Sequence, residues 1–472
     1  MRVAVAGLGY VGLVTAAGLA EWGHDVLGIE NSEARLASLK AGALPLHEPG
    51  LDELWSRHVE RRRVTIAGNS DRIDSVQVVI VAVGTHDGNG GWQTDTIRSC
   101  LEELVPRMAD DAVLVIRSTL PPEFLPGLGP LVAQLRSAAG RTPIPVLINP
   151  EFTREGQAVR DFLTPERVVI GIVSDPDGRG ARAVRKIYAS VTTPILQMTA
   201  ADAVLAKLGS NLFLATKISF ANELARLCEA FGGDVTAVVD ALSYDERIGG
   251  SFMRAGIGFG GSCLPHQVTM TIRSASQASL ETPLLSAVDH INHRQRHVFV
   301  DRIREAIEGS VDSSIEGARV ALLGLTFKPG TDDLRDAPAL TIAAELLDAG
   351  AQVVAYDPMP TARIRAEQLL PGLKSASTAF DALQGADAVG LVTEWSEFAA
   401  LDWAAVRSIV AGTTVVDGRN ALDPAVLTAA GFQYVGFGRR VDRAMPGQEP
   451  IAGVTAPGDA AIRIRAAVAA AE

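Results

Sequence analysis

Five short stretches hold residue types whose spacing could do chemistry. Cys263 lies in GIGFGGSCLP (Gly256–Pro265), where four glycines surround it. Such a loop lets a ligand rest on main-chain amides and presents the thiol rather than packing it. Lys207 and Asn211 stand four apart in AVLAKLGSNLF, so a helix puts them on one face. A lysine in so apolar a stretch either snorkels or holds an anion. Glu151 and Glu155 in NPEFTREG are again four apart and follow an apolar run. Two carboxylates there suit acid–base work, and a helix-start cap explains them as well. GLGYVG (Gly7–Gly12) follows the first apolar run; Gly7 permits a tight turn, Gly9 lets a pyrophosphate approach, and Gly12 allows close helix–strand packing. The next apolar run ends in Glu30, 18 residues after Gly12. A carboxylate there accepts from ribose hydroxyls and repels a 2′-phosphate, which favours NAD over NADP.

These groups need elements to position them. Over the first 200 residues, short valine- and isoleucine-rich runs alternate with helical stretches: Arg2–Ala6, Val26–Glu30, Val64–Ala67, Val78–Thr85, Val113–Thr119, Val146–Asn149 and Val168–Ile172. Runs of that length suit strands buried on both faces. From 201 to about 300 the pattern becomes helical, with Leu205, Leu208, Leu212 and Ala215 at three-to-four spacing and no break before Gly232-Gly233. Alternation returns at Val320–Leu325, Val353–Asp357, Val389–Thr393, Thr414–Asp417 and Tyr434–Gly436. The expected fold is α/β: two Rossmann-like doubly wound domains joined by a long central helical segment. The expected bounds are 1–200 for NAD binding, 201–300 for a central helical dimerisation and substrate domain, 301–440 for sugar-nucleotide binding, and 441–472 for a flexible tail.

Composition narrows the function. A chain of 472 residues, 47% hydrophobic, fills more than one core. A net charge of −12 gives no footing for nucleic acid. Cys100, Cys228 and Cys263 are odd in number and scattered, which argues against a disulfide framework or a metal site. No apolar run reaches membrane-spanning length and the first residues lack a signal-peptide pattern, so the expectation is a cytoplasmic protein with no membrane partner.

The motifs GLGYVGL, LPLHEPGLDEL, VAVGT, RSTLP, NPEFTREG, KLGSNLFLATKISFANELA, DERIG, GIGFGGSCLP, LLGLTFKPGTDDLRDAPAL and VVDGRN occur in that order. In this combination the chain resembles the UDP-glucose/GDP-mannose 6-dehydrogenases over about residues 1–440, and most of all the UDP-glucose branch. The resemblance implies NAD-dependent, two-step oxidation of a nucleotide-diphosphate hexose at C6 to the uronate, through a thioester on Cys263. It implies that Lys207 stabilises oxyanions with Asn211 beside it, and that Glu151 and Thr119 attend the hydrolytic water. Gly7, Gly9, Tyr10, Val11, Gly12, Glu30, Arg35, Thr85, Thr119, Glu155 and Arg335 would hold NAD. Glu151, Phe152, Thr153, Arg154, Glu155, Lys207, Asn211, Phe252, Gly256, Gly260 and Lys328 would hold the sugar nucleotide, with Arg247 reaching into the partner of a homodimer.

Four positions depart from the family pattern. His266 and Gln267 replace the usual Lys-Asp after Cys263, His86 replaces a Pro, and Val204 replaces a Glu. They fall on catalytic machinery, so a weakened or idle paralogue acting as a regulatory subunit stays open, as do dTDP- and GDP-hexoses. If Gln267 faces Lys207 where the family has an acid, Gln267→Asp is expected to raise kcat by roughly tenfold.

Overall fold

In a computed structural model, residues 1–70, 72–86, 91–309 and 314–439 are described. The first sheet holds β1 (Arg2–Ala6), β2 (Asp25–Ile29), β3 (Val64–Ala67), β4 (Val78–Val81), β5 (Val113–Ile116), β6 (Val146–Ile148), β7 (Val168–Ser174) and β8 (Ile195–Thr199). Their order is β3-β2-β1-β4-β5-β6-β7-β8, and every pairing is parallel except β6 with β7. The second sheet holds β9 (Arg319–Leu323), β10 (Gln352–Tyr356), β11 (Lys374–Ser375), β12 (Ala388–Leu391), β13 (Thr414–Asp417) and β14 (Gln433–Gly436). It runs β11-β10-β9-β12-β13-β14, parallel throughout. Both sheets switch direction beside their first strand, the place where a doubly wound sheet opens a crevice. The expected fold class is the observed one.

A single helix, Ala200–Phe231, starts where β8 ends and serves as a spine. The Thr199 hydroxyl caps it by accepting from Asp202 N, and Gly232 in the left-handed region (φ 76°) ends it. Its buried positions step by three and four: Val204 and Leu208 join the core beside the first sheet, while Ala221, Ala225 and Cys228 join the core of the second. One helix thus belongs to both hydrophobic cores, so rotating either sheet against it would uncover apolar surface. Pro283–Glu308 is a second long helix, continuous through position 300, and its Phe299, Val300 and Ile303 pack on the second sheet.

The expected strands at 78–85 and 113–119 are shorter than their sequences suggested. Arg117 N and Ser118 N both turn back to Val81 O, which closes the ladder and frees the following residues to form the crevice wall. The strand β8, ILQMT, escaped notice because it is mostly exposed and lacks the apolar run of a two-face-buried strand. Leu205, one of the residues whose spacing marked the helix, lies on its outer face and is 56% exposed. Among the described residues no helix is long and apolar enough to cross a membrane. The tail expected at 441–472 lies outside the described residues.

Candidate active site

GLGYVG turns from β1 directly into the helix Tyr10–Glu21. A Cβ on Gly12 would stand 1.8 Å from Gly7 O, so only glycine lets that helix begin here. A Cβ on Gly9 would meet nothing within 4 Å. The open side of Gly9 is the volume a pyrophosphate takes at a helix N-terminus, and the residues present fit a dinucleotide. Glu30, buried at the end of β2, accepts from Leu8 N (3.0 Å), Ser32 N (2.8 Å) and Arg35 (3.1 Å). Thr85 donates its hydroxyl to Thr119 O at 2.6 Å, joining the loops after β4 and β5 on the same side.

Below this crevice lies a cavity of about 750 Å³, between the two sheets and the spine. Its wall includes Glu151 through Glu155, Lys207, Asn211, Phe252, Gly256, Gly260, Cys263 and Lys328. Residues of NPEFTREG, the spine, the loop 252–263 and Lys328 therefore meet in one place, while GLGYVG and Glu30 are not part of the wall. Thr119 is not part of that wall, and Arg247 lies outside it with its side chain 88% exposed, paired to Asp245 at 2.5 Å. Gly256 and Gly260 have a reason beyond any ligand: a Cβ would stand 2.2 Å from Gly418 O and 2.4 Å from Asp336 O respectively. Phe252 holds a left-handed backbone (φ 63°), a conformation uncommon for a bulky side chain.

Lys207, buried on the spine, pairs with Glu151 at 2.9 Å. The second oxygen of Glu151 accepts from Thr153 N (2.7 Å) and its hydroxyl (2.5 Å). Burial pushes the Glu151 carboxyl up, but the Lys207 ammonium, the Thr153 bonds and Arg117 outweigh it and hold it at about 2. Glu155 shows the opposite balance. Burial and the nearby Asp333 push it up to about 7, against Arg335 and Lys328. One oxygen of Glu155 accepts from Arg335 at 3.1 Å and from the Ser262 hydroxyl at 3.3 Å, while the other is buried with no hydrogen-bond partner among the described residues.

Cys263 caps the helix Leu264–Gln277, and its sulfur opens into the cavity. Enclosure by the surrounding protein, together with Glu155, raises the thiol pKa, and Lys207 opposes this. Sγ lies 3.7 Å from the Ser262 hydroxyl. Gln267 does not answer Lys207; its Oε1 accepts from Asn211 at 2.9 Å, so the lysine's carboxylate partner is Glu151. His86 and His266 meet ring to ring, centroids 5.4 Å apart.

Arg419 and Arg117 escaped the sequence reading. Arg419, half-buried, donates to Val392 O, Gly258 O and Phe327 O, holding both halves of the cavity together. Arg117 donates to Asn149 and Tyr188 from beneath the cavity floor. VVDGRN contained the first as a signal; an arginine after a strand, as in RSTLP, carries none. In a chain with net charge −12, the wall nonetheless gathers more cationic than acidic side chains, which suits a diphosphate.

Comparison with known proteins bears on this site. Residues 1–192 match the NAD binding domain of the UDP-glucose/GDP-mannose dehydrogenase family, 201–294 its central domain and 321–424 its UDP binding domain. A UDP-glucose 6-dehydrogenase of Pseudomonas aeruginosa is 37% identical over 446 residues, covering 93% of this chain and 98% of the relative. The putative UDP-glucose 6-dehydrogenase YtcA of Bacillus subtilis is 36% identical over 442 residues, covering 93% and 100%. The solved UDP-glucose dehydrogenase of Pyrobaculum islandicum superposes with a TM-score of 0.83 at 33% identity, covering 93% of this chain and 98% of that one. The chain belongs to the UDP-glucose/GDP-mannose dehydrogenase family.

Proposed function

We propose that this protein oxidises UDP-glucose at C6 to the glucuronate through a thioester on Cys263. The observation that carries the proposal is the meeting of Cys263, the buried Lys207–Glu151 pair and Lys328 in one cavity beside a dinucleotide crevice. Bound NAD supplies the hydride acceptor, twice per substrate. Gly7, Gly9, Tyr10, Val11, Gly12, Glu30, Arg35, Thr85, Thr119 and Arg335 hold it. The C6 hydroxyl proton passes to solvent, and the Lys207 ammonium, with Asn211, stabilises the resulting alkoxide before the first hydride leaves. Cys263 then adds to the aldehyde, and the same ammonium holds the new oxyanion while the second hydride departs. Water displaces sulfur from the thioester, giving the carboxylate and regenerating the thiol.

Proton handling follows from the two carboxylates. Glu151, held low by Lys207, is the fixed counter-charge of the site. Glu155, poised near neutrality, accepts the Cys263 proton through the Ser262 hydroxyl, along contacts of 3.7 Å and 3.3 Å, releases it to solvent, and later accepts a proton from the hydrolytic water. Lys328, Arg419 and the Phe252–Gly256 loop bind the nucleotide diphosphate.

A homodimer is part of the proposal. Phe213, Phe220 and Leu227 recur at seven-residue steps on the spine and stay exposed, a stripe that suits a second copy, and the exposed Arg247 would exchange Asp245 for a group across that face. The segments 1–200, 201–300 and 301–440 then act as cofactor, dimerisation and sugar-nucleotide parts, in the cytoplasm.

The test is stoichiometry with trapping. Two NADH should form per UDP-glucose, and rapid quenching should place hexuronyl mass on the Cys263 peptide. One NADH per sugar with released aldehyde would sink the two-step reading; none, with both ligands bound, would point to an idle binder.

A further inference from the structure

LPLHEPGLDEL takes no part in the steps above, yet its acid is among the most enclosed in the molecule. Glu48 is 1% exposed. Its backbone leaves little freedom: Pro49 follows it, Gly50 takes the left-handed region (φ 79°), and Glu48 O accepts from Leu51 N at 3.1 Å. Leu51, Leu54 and Trp55, just beyond, are fixed in the core against the first sheet. The carboxylate is therefore aimed by a rigid turn.

What it is aimed at joins two distant motifs. Oε2 accepts from the Tyr10 hydroxyl and from Gly156 N at 2.6 Å, and Oε1 accepts from Ala158 N at 2.7 Å. Tyr10 is the first helical residue after Gly9, at the open dinucleotide turn. Gly156 directly follows Glu155 and holds φ 79°. A shift of Tyr10 draws on the same oxygen that holds the peptide after Glu155. We propose that Glu48 is a positioning residue that locks the dinucleotide turn to the Glu151–Gly156 loop, so that cofactor occupancy sets where Glu155 stands beside Ser262 and Cys263. The inference rests on the function proposed above. Proton transfer depends on sub-ångström placement, which is what such a lock controls.

A cycle of Tyr10→Phe, Glu48→Gln and the double variant tests it, read by NAD titration of intrinsic fluorescence and by the pH profile of kcat with UDP-glucose. Each single change is expected to weaken NAD binding by about fivefold. The double variant should bind no worse than Glu48→Gln, because one link cannot be broken twice. Glu48→Gln should also lower kcat by about tenfold and move the near-neutral limb of its pH profile, which a merely structural role would leave in place. Additive losses in the double variant, or a Glu48→Gln profile matching wild type, would overturn the lock. If Glu48→Gln does not fold, Tyr10→Phe decides alone: a displaced pH limb supports the proposal and an unmoved one overturns it. A wild type that binds NAD but leaves UDP-glucose untouched would refute the proposed function, and the NAD cycle would still decide the lock.

Discussion

The two sheets carry the same turn and put it to different uses. In each, a central strand, β1 or β9, runs into a turn whose amides bond to an acid ending the next strand. Glu30 takes Leu8 N and Ser32 N; Asp357 takes Leu325 N, Thr326 N and Met359 N. Asp357 also receives the Thr326 hydroxyl and the Trp395 indole N–H, so five protein donors crowd it against three on Glu30. Glu30 is met instead by Arg35, whose side chain is 41% exposed. The first turn opens at Gly9 into a helix at once. The second helix waits until Pro338, and the intervening loop sends Lys328 and Arg335 toward Glu155. A doubly wound sheet therefore does not by itself make a dinucleotide site; the first turn differs in having fewer protein donors on its acid and open volume beside Gly9.

The largest expected effect tests the two acids. Asp357→Ala strands several buried donors and should lower unfolding free energy by about 3–5 kcal/mol in a denaturant titration. Glu30→Ala should lose only about 1–2 kcal/mol, while the kcat/KM preference for NAD over NADP falls toward unity. Equal destabilisation by both would erase the distinction.

The glycines should divide the same way. Gly324 has φ 100°, and its Cβ would stand 2.4 Å from Thr393 Cβ, so Gly324→Ala should cost about 2–3 kcal/mol of stability. Gly9→Ala should melt near the wild-type temperature yet bind NAD about tenfold more weakly, a loss of about 1.4 kcal/mol. Unchanged NAD affinity with a lowered Tm would show that Gly9 serves packing instead.

Arg335→Ala sharpens what the second turn contributes. The guanidinium holds Glu155 down against burial, so its loss leaves the carboxyl protonated to higher pH. A step that needs ionised Glu155 then appears later on the pH axis, and the acid limb of kcat should move to higher pH than in the wild type. A limb that stays in place would separate the C-terminal loop from the chemistry.

The smallest effect is expected at Gln267. A tenfold gain from Gln267→Asp assumed an unanswered Lys207, but Glu151 already pairs with it and Gln267 serves Asn211. The change in kcat should stay within about threefold, about 0.7 kcal/mol. A large gain would mean that Lys207 exchanges partners during turnover.

Much of this architecture was legible in the chain. GLGYVG, the spine from Ala200 to Phe231, and the order of most strands are local matters: glycine sterics, capping by Thr199 and Gly232, and side-chain periodicity act within a few residues of each other. The membership of Cys263, Lys207, Asn211 and Glu151 in one site was legible as well, through ordered motifs. The strand β8 was not, because it is mostly exposed and lacks an apolar run; nor were the roles of Arg419, Arg117 and Glu48, whose partners lie from tens to more than a hundred residues away.

By itself the sequence determined which residue types reach the crevice, since each local segment folds on its own preferences and carries its side chains with it. Only the tertiary structure decided how those side chains divide the work. Glu151 and Glu155 are the same acid four residues apart, yet one is held near 2 and the other is pushed to about 7. No spacing rule separates them. The difference arises because Lys207 approaches one from the spine helix, while Asp333 and low-dielectric enclosure surround the other, and Coulomb and desolvation energies depend on distances that folding alone sets.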